Sequence, residues 1–235
     1  MDKFRLVVLR NNLLGLALLG ALVCCLAITG CATNKLYSVN MNYEAEKASI
    51  PAYLKADNKG GNATITIAEF VDIRKGEDQM VIGRVVEKDG MKTVVLPKYM
   101  KPTQAVAFGI KRYLVKAGYK TLSSAGQWDL KEETIPKVDN KLIIGGSIDE
   151  LEITCRKGFP TDSYKARIKL NLILADAVKG KILYRSSVES DSSLEHVSFS
   201  EARLAEQLNI VMGDAIEKVF EDRKLAQKLK EAMTD

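Results

Sequence analysis

His196 is the one histidine of the 235 residues, and the cysteines are Cys24, Cys25, Cys31 and Cys155. These residue types limit the chemistry open to the chain. A Ser-His-Asp constellation needs a nucleophile, a base and an orienting acid held together. Glu195-His196-Val197-Ser198 sets a histidine beside serines, but the chain contains no Gly-x-Ser-x-Gly elbow. His196 therefore reads as a surface histidine near a helix cap. Cys155 shares strand parity with Leu151 and Ile153, the pattern of a buried core thiol rather than a nucleophile. One histidine and one such cysteine make a poor soft-metal site. Asp149, Glu150 and Glu152 could serve a hard cation or act as paired carboxylates, but solvated strand charges are the stronger reading. Gly60-Gly61 and Gly145-Gly146 lack the spacing of a phosphate loop. The expectation is a protein without a catalytic site, a metal or a soluble cofactor.

Cys31 is the exception, because covalent chemistry is expected there. Lys3, Arg5 and Arg10 precede an apolar run from Leu13 to Thr29, the layout of a secretory signal. Ile28, Thr29 and Gly30 then stand before Cys31. This resembles a bacterial lipobox, in which the chain is cut after the small residue and the cysteine is acylated. Cleavage after Gly30 and a lipid on Cys31 are expected. An uncleaved transmembrane anchor is the competing reading, since the run approaches the lower length limit for a span. Gly30 and the abrupt turn to Thr33-Asn34-Lys35 favour processing. Cys24 and Cys25 do not compete, because Val23 is too large for the position before an acylated cysteine. Ala32 and Thr33 follow Cys31 with no Asp between, a pattern associated with the outer membrane facing the periplasm.

Processing removes three cations and one anion, leaving 32 basic against 29 acidic residues and a charge of about +3. That mixed balance, without a long basic run, does not imply nucleic acid. Only Cys155 then remains, so no internal disulfide can form. The expected organisation is a signal peptide (1–30), a lipidated N-terminus and tether (31–62), and a single domain (63–235). A free tether of that length reaches about 30 Å. The alternative is a segment wrapped onto the domain by Tyr37, Tyr43 and Tyr53.

The elements of the domain follow from periodicity. Ala63 to Ile73 has the β-branched content of a strand. Asp89-Gly90 between Val81–Val86 and Lys92–Leu96 predicts a hairpin. A helix is predicted from Pro102 to Ala117, with Gly118 as its stop. Leu142 to Arg156 changes phase, which a bulge near Asp149-Glu150 would reconcile. Tyr164, Ala166, Ile168, Leu170, Leu172 and Leu174 alternate inward, and Lys165, Arg167, Lys169 and Asn171 outward. A last helix carries Leu204, Leu208, Val211, Ala215, Ile216 and Val219 on one face, with a break near Asp222. Ser198 and Glu201 have the spacing of its capping box. The predicted class is α+β: an antiparallel sheet with two helices on one face.

Val71-Asp72-Ile73-Arg74 with Ile82-Gly83, the run Tyr113 to Tyr119, and Tyr164 through Leu183 together resemble the YajG-like family of bacterial lipoproteins. The resemblance implies an accessory role in the cell envelope and carries no catalytic residues. The Asp149-Glu150 bulge and residues 121–141 have no place in that pattern. Two binding roles follow as expectations. The domain could offer a sheet edge or groove to an envelope protein, or hold a lipid or other hydrophobic ligand between sheet and helices as a transport accessory. The outward row Lys165, Arg167 and Lys169 is a candidate contact for an acidic partner or for lipid headgroups. The oligomeric state is left open.

Overall fold

Leu142–Arg156 and Asp162–Asp176 form two strands of 15 residues each, and the other elements are arranged around them. The computed structural model describes residues 36–56, 64–76 and 78–234. The strands are β1 (Tyr37–Val39), β2 (Thr64–Glu69), β3 (Val71–Asp72), β4 (Gly83–Val86), β5 (Lys92–Pro97), β6 (Lys120–Gln127), β7 (Leu142–Arg156), β8 (Asp162–Asp176) and β9 (Lys181–His196). The helices are α1 (Pro102–Lys116), α2 (Glu201–Glu221) and α3 (Arg223–Thr234). Gly30 and Cys31 lie outside the described residues. No helix among the described residues is long and apolar enough to cross a membrane.

The class is α+β as expected, but the sheet is mixed rather than antiparallel. Antiparallel β8 and β9 extend the sheet from one edge of β7. Along its other edge β2, β3 and β4 lie in series, all parallel to it. They act as one long strand interrupted at Phe70 and again at residues 73–82. Beyond them the sheet forks, with β6 beside β2 and β5 followed by β1 beside β4. Alternation reports which face a residue occupies and not which strand it pairs with, so these long-range parallel ladders are invisible in the pattern.

The hairpin and the helix stop form as predicted, with Gly90 at φ +86° and Gly118 at φ +97°. The register of β7 on β8 slips between Ile148 and Glu150, where the bulge was expected. It lets Leu142, Ile144 and Ile148 share one buried face with Leu151, Ile153 and Cys155. That face packs against all three helices. The opposite face is covered only near the start of β7, where Trp128 closes a small cluster with Ala68, Ile143, Ile173 and Ala175.

Three further expectations change. Leu36–Ala56 is wrapped onto the domain and is no free tether. Tyr37, Val39, Met41, Tyr43 and Leu54 are buried. The Asn42 N–H donates to Asn209 Oδ1 at 2.9 Å, and Tyr119 donates its hydroxyl to the Leu54 carbonyl at 2.7 Å. Three helices, not two, cover the sheet. Asp222 divides the terminal pair and takes hydrogen bonds from the Lys224 N–H (2.9 Å) and the Tyr184 hydroxyl (2.7 Å). The cap of α2 is Ser200 rather than Ser198, with Ser200 Oγ accepting from the Arg203 N–H at 3.2 Å. Ser198 is held outside the helix because its carbonyl accepts the Tyr164 hydroxyl and its N–H meets His196 Nδ1. Ser200→Ala is expected to lower stability by about 1 kcal/mol, while Ser198→Ala leaves the urea midpoint nearly unchanged.

Candidate functional site

The site begins where β3 ends. Arg74 folds back on Asp72, with Nε donating to Oδ1 at 2.9 Å and Nη2 to Oδ2 at 2.7 Å. Its Nη1 donates to the Val81 and Leu151 carbonyls at 3.1 and 3.2 Å, and Nη2 also donates to the Gln79 carbonyl. Both side chains are nearly enclosed, at 9% and 7% exposure. A guanidinium spread over one carboxylate and three carbonyls fixes the connection 73–82 against the edge of β7.

Opposite this connection, the bulge places Asp149 and Glu150 together on the helix-free face. Asp149 is itself held, accepting from Ser147 Oγ at 2.7 Å and from Asn171 Nδ2 at 2.6 Å. Between connection and sheet runs an open groove of about 890 Å³. Its charged lining mixes Arg74, Lys75, Arg84, Arg167 and Lys169 with Asp78, Asp149, Glu150 and Glu152. Charges of both signs at fixed spacing can recognise a polar segment of complementary sequence and discriminate against like-charged ones.

The outward row is where alternation puts it, on the helix-free face, and Arg167 and Lys169 line the groove. Lys165 does not. The neighbouring strands answer the row with carboxylates. Lys169 stands between Glu150 and Glu189, and Arg167 between Glu152 and Asp191. Arg167 bonds Glu150 at 3.2 Å and also Glu189. The row therefore belongs to a checkerboard of both signs. Asp72, Arg74 and Arg84 were missed as site residues. For Asp72 and Arg74 the signal is the stretch Val71-Asp72-Ile73-Arg74, and Arg84 directly follows Ile82-Gly83. Gly83 is there because a Cβ would lie 1.8 Å from the Ile153 carbonyl oxygen, so only glycine lets β4 pair this closely with β7.

The catalytic candidates stay apart. His196 Nδ1 meets the main chain of Ser198, its N–H at 3.2 Å and its carbonyl at 3.1 Å. Asp162, opposite His196 in the ladder, accepts the Gly158 N–H at 3.0 Å. No carboxylate forms an ion pair with His196 among the described residues. Cys155 is fully buried. Burial first, then the nearby Asp162 carboxylate, pushes its thiol up to about 11. Since the thiolate is the reactive form, about one molecule in a thousand carries it at pH 8. Alkylation of Cys155 by iodoacetamide is expected to be negligible in the folded protein and rapid after unfolding in urea, read by mass. Glycine-rich Gly145-Gly146 proves to be a site of close approach. Trp128 covers Gly145 on the open face, and the Phe70 ring covers Gly146 on the helix face.

A second depression, of about 490 Å³, lies on α1 between Phe108 and Val115. Neither depression involves the residues that would line a ligand cavity between sheet and helices. Ile168, Leu170 and Leu172 pack with Leu204, Leu208 and Val211 in one core, none more than 1% exposed.

No protein-family model matches the chain, and no curated protein matches its sequence. Among solved structures it is similar to a Xanthomonas campestris protein of the DUF330 family. Their TM-score is 0.50 at 8% identity, over 84% of this chain and 99% of that one. A Helicobacter pylori protein described as a homologue of a neuraminyllactose-binding hemagglutinin overlaps more loosely. Its TM-score is 0.40 at 10% identity, over 79% of this chain and 96% of that one. A lipoprotein from Neisseria meningitidis gives a TM-score of 0.35 at 11% identity, over 65% and 96%. The first of these likenesses is one of fold, and the other two add nothing to it.

Proposed function

We propose that the protein is a non-enzymatic lipoprotein of the bacterial outer membrane, cut after Gly30, acylated on Cys31 and facing the periplasm. Its domain binds an envelope protein through the groove on the helix-free face. The observation that carries the binding role is the groove itself: a connection pinned by Arg74, set against a sheet face patterned with both signs of charge. Such a surface suits an extended polypeptide with polar side chains, taken up along strands whose main chain is already ordered. The alternative, a lipid or hydrophobic ligand between sheet and helices, finds no support in the close-packed core there.

Two measurements test this reading. Cys31→Ser is expected to remove the acyl mass from the mature N-terminus and release the protein from the membrane fraction; an unchanged mass and attachment would overturn the anchor. A photo-crosslinking residue at Lys169 or Arg84 in living cells is expected to capture one envelope protein in stoichiometric yield. The same residue at Ile210, exposed on α2, should capture none. Equal capture from both faces, or lipid alone at Lys169, would sink the groove as a protein site.

A further inference from the structure

Four large apolar side chains stand in solvent at one end of the sheet: Leu36 (56% exposed), Met91 (65%), Phe159 (93%) and Val197 (76%). They come from four separate segments. Leu36 immediately precedes β1, Met91 is in the β4–β5 hairpin, Phe159 in the β7–β8 connection, and Val197 between β9 and α2. The ladders bring these segments together. Val86 pairs with Lys92 and with Arg156, Arg156 with Ser163, and Asp162 with His196, while β1 runs parallel to β5 from the same end.

One lysine ties all four. Lys157, in the β7–β8 connection, bonds Glu87 of the hairpin at 2.9 Å and the Tyr37 hydroxyl at 3.3 Å, and stands 4.2 Å from the Phe199 ring centre. Tyr37 and Phe199 touch in turn, with ring centres 4.9 Å apart. The apolar tips thus project from an ordered base. Around them Lys88, Lys92 and Arg156 are exposed, together with Asp89.

This is also the end at which the chain enters the domain. The wrapped segment begins at Leu36, so five residue steps separate it from Cys31. Fully extended they span at most about 18 Å. An acyl chain on Cys31 would hold this end of the sheet beside the bilayer.

We infer that this end is a membrane-docking platform, with Leu36, Met91, Phe159 and Val197 seated in the headgroup region of the leaflet that holds the Cys31 lipid. The inference rests on the lipoprotein reading above. An anchored chain with a short leash gains a second, weaker contact, and the two together fix the orientation of the domain. The flanking cations can reach phosphate groups while their stems lie along the apolar tips. Four large exposed apolar residues gathered toward one end of the sheet call for a partner surface, and the leash supplies one.

The test uses the acylated full-length protein in vesicles of phosphatidylethanolamine and phosphatidylglycerol. Met91→Cys, Phe159→Cys and Val197→Cys are each labelled with a polarity-sensitive nitrobenzoxadiazole. Val178→Cys, in the β8–β9 turn about 50 Å away along the strands, is the reference. Cys155 is buried and stays unlabelled in the folded protein. The probes at the tips are expected to emit at shorter wavelength and to be quenched about twofold by nitroxide lipids, as for side chains lying about 5–10 Å into the interface. The probe at 178 should behave as in water. The mass of the N-terminal peptide is read on the same samples. An acylated Cys31 with water-like emission at all three tips overturns the docking platform and leaves the anchor intact. A protein without acyl mass overturns the anchor, and the platform with it. Equal quenching at 178 also overturns the platform, because the domain would then have no fixed orientation.

Discussion

Arg74→Ala is expected to cost about 3–5 kcal/mol, a large share of the stability of a domain this size. The change leaves the Asp72 carboxylate enclosed without its counter-ion and three carbonyls without a donor. Urea unfolding should show the loss as a lower midpoint at unchanged slope. Asp72→Ala leaves the guanidinium with its carbonyl partners and should cost less. The double substitution should cost well below the sum of the two, because each single change already breaks the same pair. Additive losses would mean that the pair contributes little, and the connection 73–82 would then need another explanation for its position. The same variant should abolish capture at Lys169 under conditions where the domain remains folded, since the groove loses one wall.

Gly146→Ala is expected to prevent stable folding, with a cost of about 5 kcal/mol or more. An added Cβ would lie 2.1 Å from the Asn171 carbonyl oxygen and 2.4 Å from the Phe70 ring. Both are fixed, one by the β7–β8 ladder and the other by the core. Gly83→Ala meets the Ile153 carbonyl oxygen at 1.8 Å and should behave alike. Gly126→Ala is the control, with nothing within 4 Å of its Cβ, and should shift stability by no more than about 0.5 kcal/mol. Soluble, cooperatively unfolding Gly146→Ala protein would show that β7 can slide relative to β8, and the bulge at Asp149 would then not fix the register.

Much of the fold was legible because burial on one face imposes a period. The run from Tyr164 to Leu172 alternates without fault and forms a strand with a core face and a wetter face. The phase change between Ile148 and Leu151 marks the bulge without reference to any partner strand. Asp89-Gly90 and Gly118 marked turns that need positive φ. What failed were inferences about partners. Residues 64–86 carry strand character, but nothing in them says that they pair with residues 142–156 rather than with each other. Tyr37, Tyr43 and Tyr53 sit among polar residues, and only the buried contacts with α1 and α2 show that their segment is part of the domain. Ser198 and Ser200 both suit a cap. The choice fell to Tyr164, whose hydroxyl receives the Ser200 N–H at 3.0 Å and binds the Ser198 carbonyl.

The candidate site divides along the same line. Local pattern placed Lys165, Arg167 and Lys169 outward, kept Cys155 in the core and set Cys31 apart as the residue expected to carry covalent chemistry. These readings depend on near neighbours in the chain, where spacing and side-chain type suffice. The tertiary structure alone decided that carboxylates from β7 and β9 face the basic row, that Arg74 closes a groove with Asp72, and that four apolar tips share one end of the sheet. Each of those joins residues from distant segments through strand register, and register is set by packing and hydrogen bonding across the whole sheet, which no local pattern records.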